Sequence, residues 1–220
     1  SSVEYDDYKG LFGCVGSGGT ITNLGIENCD VSGTSVGGLT GCNEGSVTNC
    51  FSINARISGS YCGELVGRNS GTITNSYSSG ITYGSYKAVG GLVGFNSSSG
   101  DITNSHSTGE IYSTSESSDF GGLVGFNAGS ILKCYSKVAV NSWSGSHSFG
   151  GLVGDNEGDI SKCYSTGIVA PPRIDSIVGS IESIAIGGLV GLNGKFYVSG
   201  HITDCYSTGA VTGDERIGGL

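Results

Sequence analysis

Single apolar residues recur along the chain between Gly, Ser, Thr and Asn, and no stretch carries the 3.6-residue apolar period of a helix. The pattern repeats as a whole. Aligned on one leucine (Leu11, Leu39, Leu65, Leu92, Leu123, Leu152, Leu189 and Leu220), the chain divides into steps of 26 to 37 residues. Around that leucine lies a glycine-rich phrase: GGLTGCN at 37–43, GELVGRN at 63–69, GGLVGFN at 90–96 and 121–127, GGLVGDN at 150–156 and GGLVGLN at 187–193. A second phrase follows, as in GTITNSYS at 71–78, GSILKCYS at 129–136 and GHITDCYS at 200–207. A period of this length signals a solenoid or a propeller, whose units bury their apolar faces only against their neighbours. A propeller blade usually needs about 40 residues or more, which favours the solenoid.

Reading down the repeats gives columns of like residues. Three residues before the leucine stand Val36, Cys62, Val89, Phe120, Phe149 and Ile186, and the second phrase contributes Ile21, Val47, Ile73, Ile102, Ile131, Ile160 and Ile202. A further column mixes Leu24, Cys50, Ser76, Ser105, Cys134, Cys163 and Cys205. Like stacking on like is what in-register parallel coils require, with strands about 4.8 Å apart. The expected fold is therefore all-β, a parallel β-solenoid of about seven coils with 26–37 residues per coil, forming one array over residues 1–220. Each coil is expected to hold two or three short strands: the GGLVG phrase, the GxIxNCYS phrase, and a GxV segment such as Gly167-Ile168-Val169. Asn43, Asn69, Asn96, Asn127, Asn156 and Asn193 form a column expected to be structural. Asparagine tolerates the left-handed backbone of a corner, and its amides can bond along the axis as in cross-β ladders.

Composition agrees with this picture and narrows the function. Glycine supplies 42 residues, proline two, and the net charge is −9 with only ten Lys and Arg. An acidic chain repels phosphate backbones, which argues against nucleic acid as a partner. No apolar run approaches the roughly 20 residues of a membrane span. The opening SSVEYDDYKG lacks the basic and apolar regions of a secretory signal, so a removed signal or an internal segment is expected. No pair of cysteines has the CxxC spacing of a structural zinc site.

The phrase Gly-Leu-any-Gly, followed by an Asn and then a GxIxNCYSTGxV segment, resembles the GLUG repeat family over nearly the whole span from Gly10 to Leu220. That resemblance implies a secreted or surface-anchored bacterial protein, adhesin-like and non-enzymatic. Some similar arrays lie beside the peptidase domain of immunoglobulin A-cleaving metalloproteases, but this chain has no HExxH. It departs from the motif at Glu64, which replaces a glycine, at Thr40, which replaces Val, and at Val15, which replaces Asn.

Few residues suggest site chemistry. GTSVG at 33–37 fits the GxSxG elbow of serine hydrolases, but that elbow needs a following helix, and Ser35 lies in a variable linker. His106 occupies a column otherwise filled by Phe51, Tyr77, Tyr135, Tyr164 and Tyr206, so it reads as an aromatic substitute, while His147 and His201 have no partner at metal spacing. The aromatic column itself is the candidate ligand-facing feature, because flat ring faces match a pyranose. The Thr ladder of an ice-binding surface is interrupted by Ile53, Ser79 and Lys137. No cofactor is expected, with calcium at the acidic turn Asp155-Asn156-Glu157-Gly158-Asp159 as the one alternative. Cys14 and Cys42 stand one coil apart at equivalent positions, within disulfide reach, and would staple the terminal coil. The insertion containing Pro171, Pro172 and Arg173 reads as a loop leaving the coil.

The pattern starts at Tyr8-Lys9-Gly10-Leu11 and stops in the same phase at Gly218-Gly219-Leu220, which leaves the last coil open. Two structural roles follow: an extracellular scaffold or stalk on the cell surface, or a filament subunit stacked head to tail through its coil edges. The expected partners are accordingly the chain itself, further repeats, surface glycans or host proteins. A carbohydrate-active β-helix enzyme would need acids clustered on one face, whereas the Asp and Glu here are scattered.

Overall fold

A computed structural model of the chain describes residues 7–113, 119–142, 148–170, 185–194, 198–212 and 217–218. It is a parallel β-solenoid, with no helix among the described residues. One coil runs through Val93–Asn96, then Asp101–Thr103, then His106–Ser113 and Asp119–Gly121, before Val124–Asn127 starts the next. Successive coils stack these segments into two seven-stranded sheets and one fourteen-stranded sheet. Register follows the columns: Ile73 pairs with Ile102, Val93 with Val124, and Asn96 with Asn127.

The glycine phrase makes the corner between the largest sheet and the next coil. Its backbone ladder continues through the bend, where Leu92 N donates to Leu123 O at 2.9 Å and Leu123 N to Leu152 O at 2.8 Å. The glycines at the first and fifth positions of consecutive phrases face each other backbone to backbone. A Cβ on Gly90 would stand 2.8 Å from Gly125 N, and one on Gly121 would stand 2.6 Å from Gly154 N. No side chain fits there, so the glycines recur because the corner closes on itself.

The apolar columns separate into two cores. Leu39, Leu65, Leu92, Leu123 and Leu152 pack with the Val and Ile of the two smaller sheets. The column three residues before the leucine packs elsewhere, with Ile57, Ile111, Val138 and Val140, inside the fold of the largest sheet. Between the cores runs a narrow waist. There Ser78 Oγ donates to Gly91 O at 2.8 Å and Ser107 Oγ to Gly122 O at 2.7 Å.

Two details differ from the sequence-based expectation. The third segment of a coil is not always short: Phe51–Gly63 and Tyr77–Gly90 run on as strands of 13 and 14 residues through the variable linker. Pairing to the neighbouring coil makes them strands whatever their composition. The left-handed corner, in turn, belongs to the other asparagine column, where Asn23, Asn49, Asn75, Asn104, Lys133, Lys162 and Asp204 have φ between 50° and 57°. The insertion around Pro171, Pro172 and Arg173, with His147 and Leu220, lies outside the described residues.

The first asparagine column is a buried ladder. Each Nδ2 donates to the next Oδ1, from Asn43 to Asn69 at 2.7 Å, Asn69 to Asn96 at 2.8 Å, Asn96 to Asn127 at 2.8 Å and Asn127 to Asn156 at 2.7 Å. Asn156 then reaches Asn193 at 2.8 Å. The second amide hydrogen is used as well, as in Asn69 Nδ2 to Gly71 O at 3.1 Å.

Removing one interior rung orphans a buried donor and a buried acceptor. Asn127→Ala is expected to lower stability by about 2–4 kcal/mol, and Asn193→Ala, at a more open rung, by clearly less. Urea denaturation checks both, and equal losses would contradict the ladder. At the left-handed corner the opposite change is favourable. Lys133→Asn should gain about 1 kcal/mol, seen as a melting temperature higher by about 2–4 °C.

Candidate functional site

The aromatic column lines one edge of the largest sheet. Phe51, Tyr77, His106, Tyr135, Tyr164 and Tyr206 stack ring on ring, with centroids 4.5–5.3 Å apart and planes within 15° of parallel. His106 behaves as one more ring of this stack, and burial first, then the Lys137 ammonium, lowers its pKa. Because neighbouring rings cover each other's faces, a sugar approaching the column meets ring edges and hydroxyls. Only at Tyr206, 51% exposed, does the ladder open.

The mixed Ser/Cys column is a hydrogen-bond relay. Cys50 N donates to Ser76 Oγ at 3.1 Å, Ser76 N to Ser105 Oγ at 3.1 Å, and Ser105 N to Cys134 Sγ at 3.4 Å. Cys134 N and Cys163 N continue it to Cys163 Sγ and Cys205 Sγ, both at 3.3 Å. Each hydroxyl or thiol also donates to the carbonyl two residues back, as Ser76 Oγ does to Thr74 O at 2.9 Å. A small side chain that both accepts and donates is required, so serine and cysteine stand in for each other from Cys50 to Cys205. These cysteines are free thiols, and burial holds that of Cys134 protonated.

Cys14 and Cys42 pair in register on Phe12–Val15 and Thr40–Asn43, and both are free thiols. Burial, reinforced by Cys14 and Glu44 and opposed by the Arg68 guanidinium, pushes the Cys42 thiol up to about 12. The remaining candidates do not converge on a site. Ser35 is fully buried in the strand Asp30–Val36, and no helix follows it among the described residues. Of the acidic turn, Asp155 is buried, Asn156 belongs to the ladder, and Asp159 faces out beside His201 Nδ1 at 3.3 Å.

The profile of the GLUG motif matches residues 85–112 and 182–212. The chain carries GLUG motifs. Comparison with curated protein sequences gave no match. Both matched regions hold a glycine corner and one rung of the ladder, Asn96 in the first and Asn193 in the second. What the GLUG motif repeats here is thus the corner and the amide that locks it.

Where this chain leaves the GLUG pattern, the chemistry changes. Glu64 replaces the second glycine of its phrase, and its side chain is fully buried in the waist. Opposite it the Ile57, Ile111, Val140 column carries Thr82, the one polar residue in that register. Thr82 Oγ1 reaches Glu64 Oε1 at 3.5 Å, while Oε2 has no hydrogen-bond partner. Burial raises the Glu64 pKa well above 4.5, and Thr82 opposes this only in part. Sequence reading marked Glu64 as a departure from the motif. The further signal, a threonine in an aliphatic column of the same coil, was visible only with the register in hand.

The folded chain therefore keeps a proton that the unfolded chain releases as pH rises past the ordinary carboxyl value. Stability from this group is fully present in acid and falls as pH climbs toward the raised value. Glu64→Gln should remove that part of the decline. Urea midpoints of both proteins between about pH 5 and pH 8 test this; identical slopes would rule out Glu64 as the titrating group.

Proposed function

We propose that this GLUG array is a non-enzymatic structural module of the cell exterior, a rigid adhesin-like scaffold or stalk. The observation that supports the reading is where the repeated polar groups point. The Asn column bonds to itself, the Ser/Cys column relays backbone bonds, and the aromatic column stacks on itself. Each repeated chemistry is used along the axis, which is what a scaffold needs and what a repeated binding site would leave open.

Glycans or proteins of a partner surface would then meet ring edges and the segments that depart from the repeat. The last described coil offers a second kind of contact. Leu189, Val190, Ile202 and Cys205 line a cavity of about 600 Å³ there, bounded by the strand edges. A further coil, from the same chain or from a second copy, has the shape and pairing groups to cover it.

The test is location first. Intact cells of the source organism, labelled with a membrane-impermeant biotin reagent, should yield the biotinylated array. Labelling only after lysis would overturn the extracellular role. Release of reducing sugar from a polysaccharide panel by the purified array would equally overturn the non-enzymatic one.

A further inference from the structure

Cys14, Cys42 and Glu44 bring two sulfurs and a carboxylate oxygen within 4.8 Å of one another. Two features of the fold produce this cluster. Parallel register sets Cys14 beside Cys42 across neighbouring coils, and the bend that follows Thr40–Asn43 brings Glu44 back to the side of Cys42. The backbone under the glutamate is fixed too, since Glu44 N donates to Val15 O at 2.7 Å. Cys14 and Glu44 are exposed and Cys42 is buried, so the donor set sits at the surface with one ligand anchored in the scaffold. Elsewhere in this column the residues are Arg68, Phe95, Phe126, Asp155 and Leu192, so the thiols are confined to the first two coils.

We propose that Cys14, Cys42 and Glu44 bind a thiophilic divalent cation of the zinc and cadmium type. The donors are those such ions select, two thiolates and a carboxylate, and three protein ligands leave the fourth position of a tetrahedral ion to solvent. As the two sulfur–metal bonds form, both thiol protons pass to solvent, and no electron is transferred. Two thiolates and one carboxylate around a divalent ion leave one net negative charge. Arg68, paired in register with Cys42, stands next to it with the opposite sign. A disulfide between Cys14 and Cys42 is the competing fate of the same sulfurs, and it would have no use for Glu44.

The test uses the full chain, reduced with a phosphine and freed of metal. Cadmium is the probe, followed by its sulfur-to-metal charge-transfer absorption in the ultraviolet, and zinc is then measured by competition with a chromophoric chelator. One equivalent should bind. Cys14→Ser, at an exposed position, should abolish this binding while leaving the melting temperature unchanged. Glu44→Gln should weaken it by at least tenfold, and bound zinc should slow alkylation and air oxidation of Cys14 and Cys42. Absence of saturable binding to the reduced wild type would overturn the proposal. So would unchanged affinity in Glu44→Gln, or oxidation of the Cys14–Cys42 pair at the same rate with and without zinc.

Discussion

One spacing governs this molecule. Strands of neighbouring coils lie about 4.8 Å apart and in register, so each side chain has near-copies of itself as its closest neighbours. Only chemistries that attract their own kind survive repetition at that distance. Aliphatic residues do so by burial, primary amides by donating at one end and accepting at the other, and aromatic rings by offset stacking. Like charges do not. The column paired along the second sheet obeys this, reading Thr72, Asp101, Ser130, Asp159 and His201: a neutral residue separates the two aspartates, and a histidine follows the second.

The same constraint explains the glycines. A coil with two cores must pinch between them, and the pinch brings backbones of consecutive coils into contact at Gly90 and Gly125. From Ser52 to Ser207 the facing column of the waist is serine, and at Ser78 and Ser107 the hydroxyl is taken up by a carbonyl of the same corner. Glu64 enters that waist with a compensating change, Thr82 for an aliphatic residue, and with its pKa raised well above 4.5 by burial. A charged carboxylate there would face a core with a single weak partner.

Much of this was legible from the residues. Column alignment placed the leucine, the isoleucine and the amide ladder correctly, because stacking in register makes sequence repetition and spatial contact the same fact. Two features were not legible for related reasons. The left-handed corner was expected at Asn43 and its equivalents, but both asparagine columns suit a turn by composition; only the backbone at Asn49 and Asn75 distinguishes them. The long strands through Phe51–Gly63 and Tyr77–Gly90 have linker-like sequences, and their pairing partner, not their propensity, makes them strands. The Ser/Cys column was legible as a column, but its side chains accept from the backbone of the preceding coil, which a list of side chains does not display.

A lattice this demanding separates structural from individual information. Wherever a residue recurs, the axis already uses it, and mutation there should be felt first as lost stability. Singular chemistry belongs to positions where the repeat is broken and the break is tolerated. Glu64 is such a position inside the waist, and Cys14, Cys42 and Glu44 are another on the outer face of the first coils. The first is isolated from solvent and can act only on stability. The second has exposed donors on a fixed backbone, so it is the break that a ligand can reach.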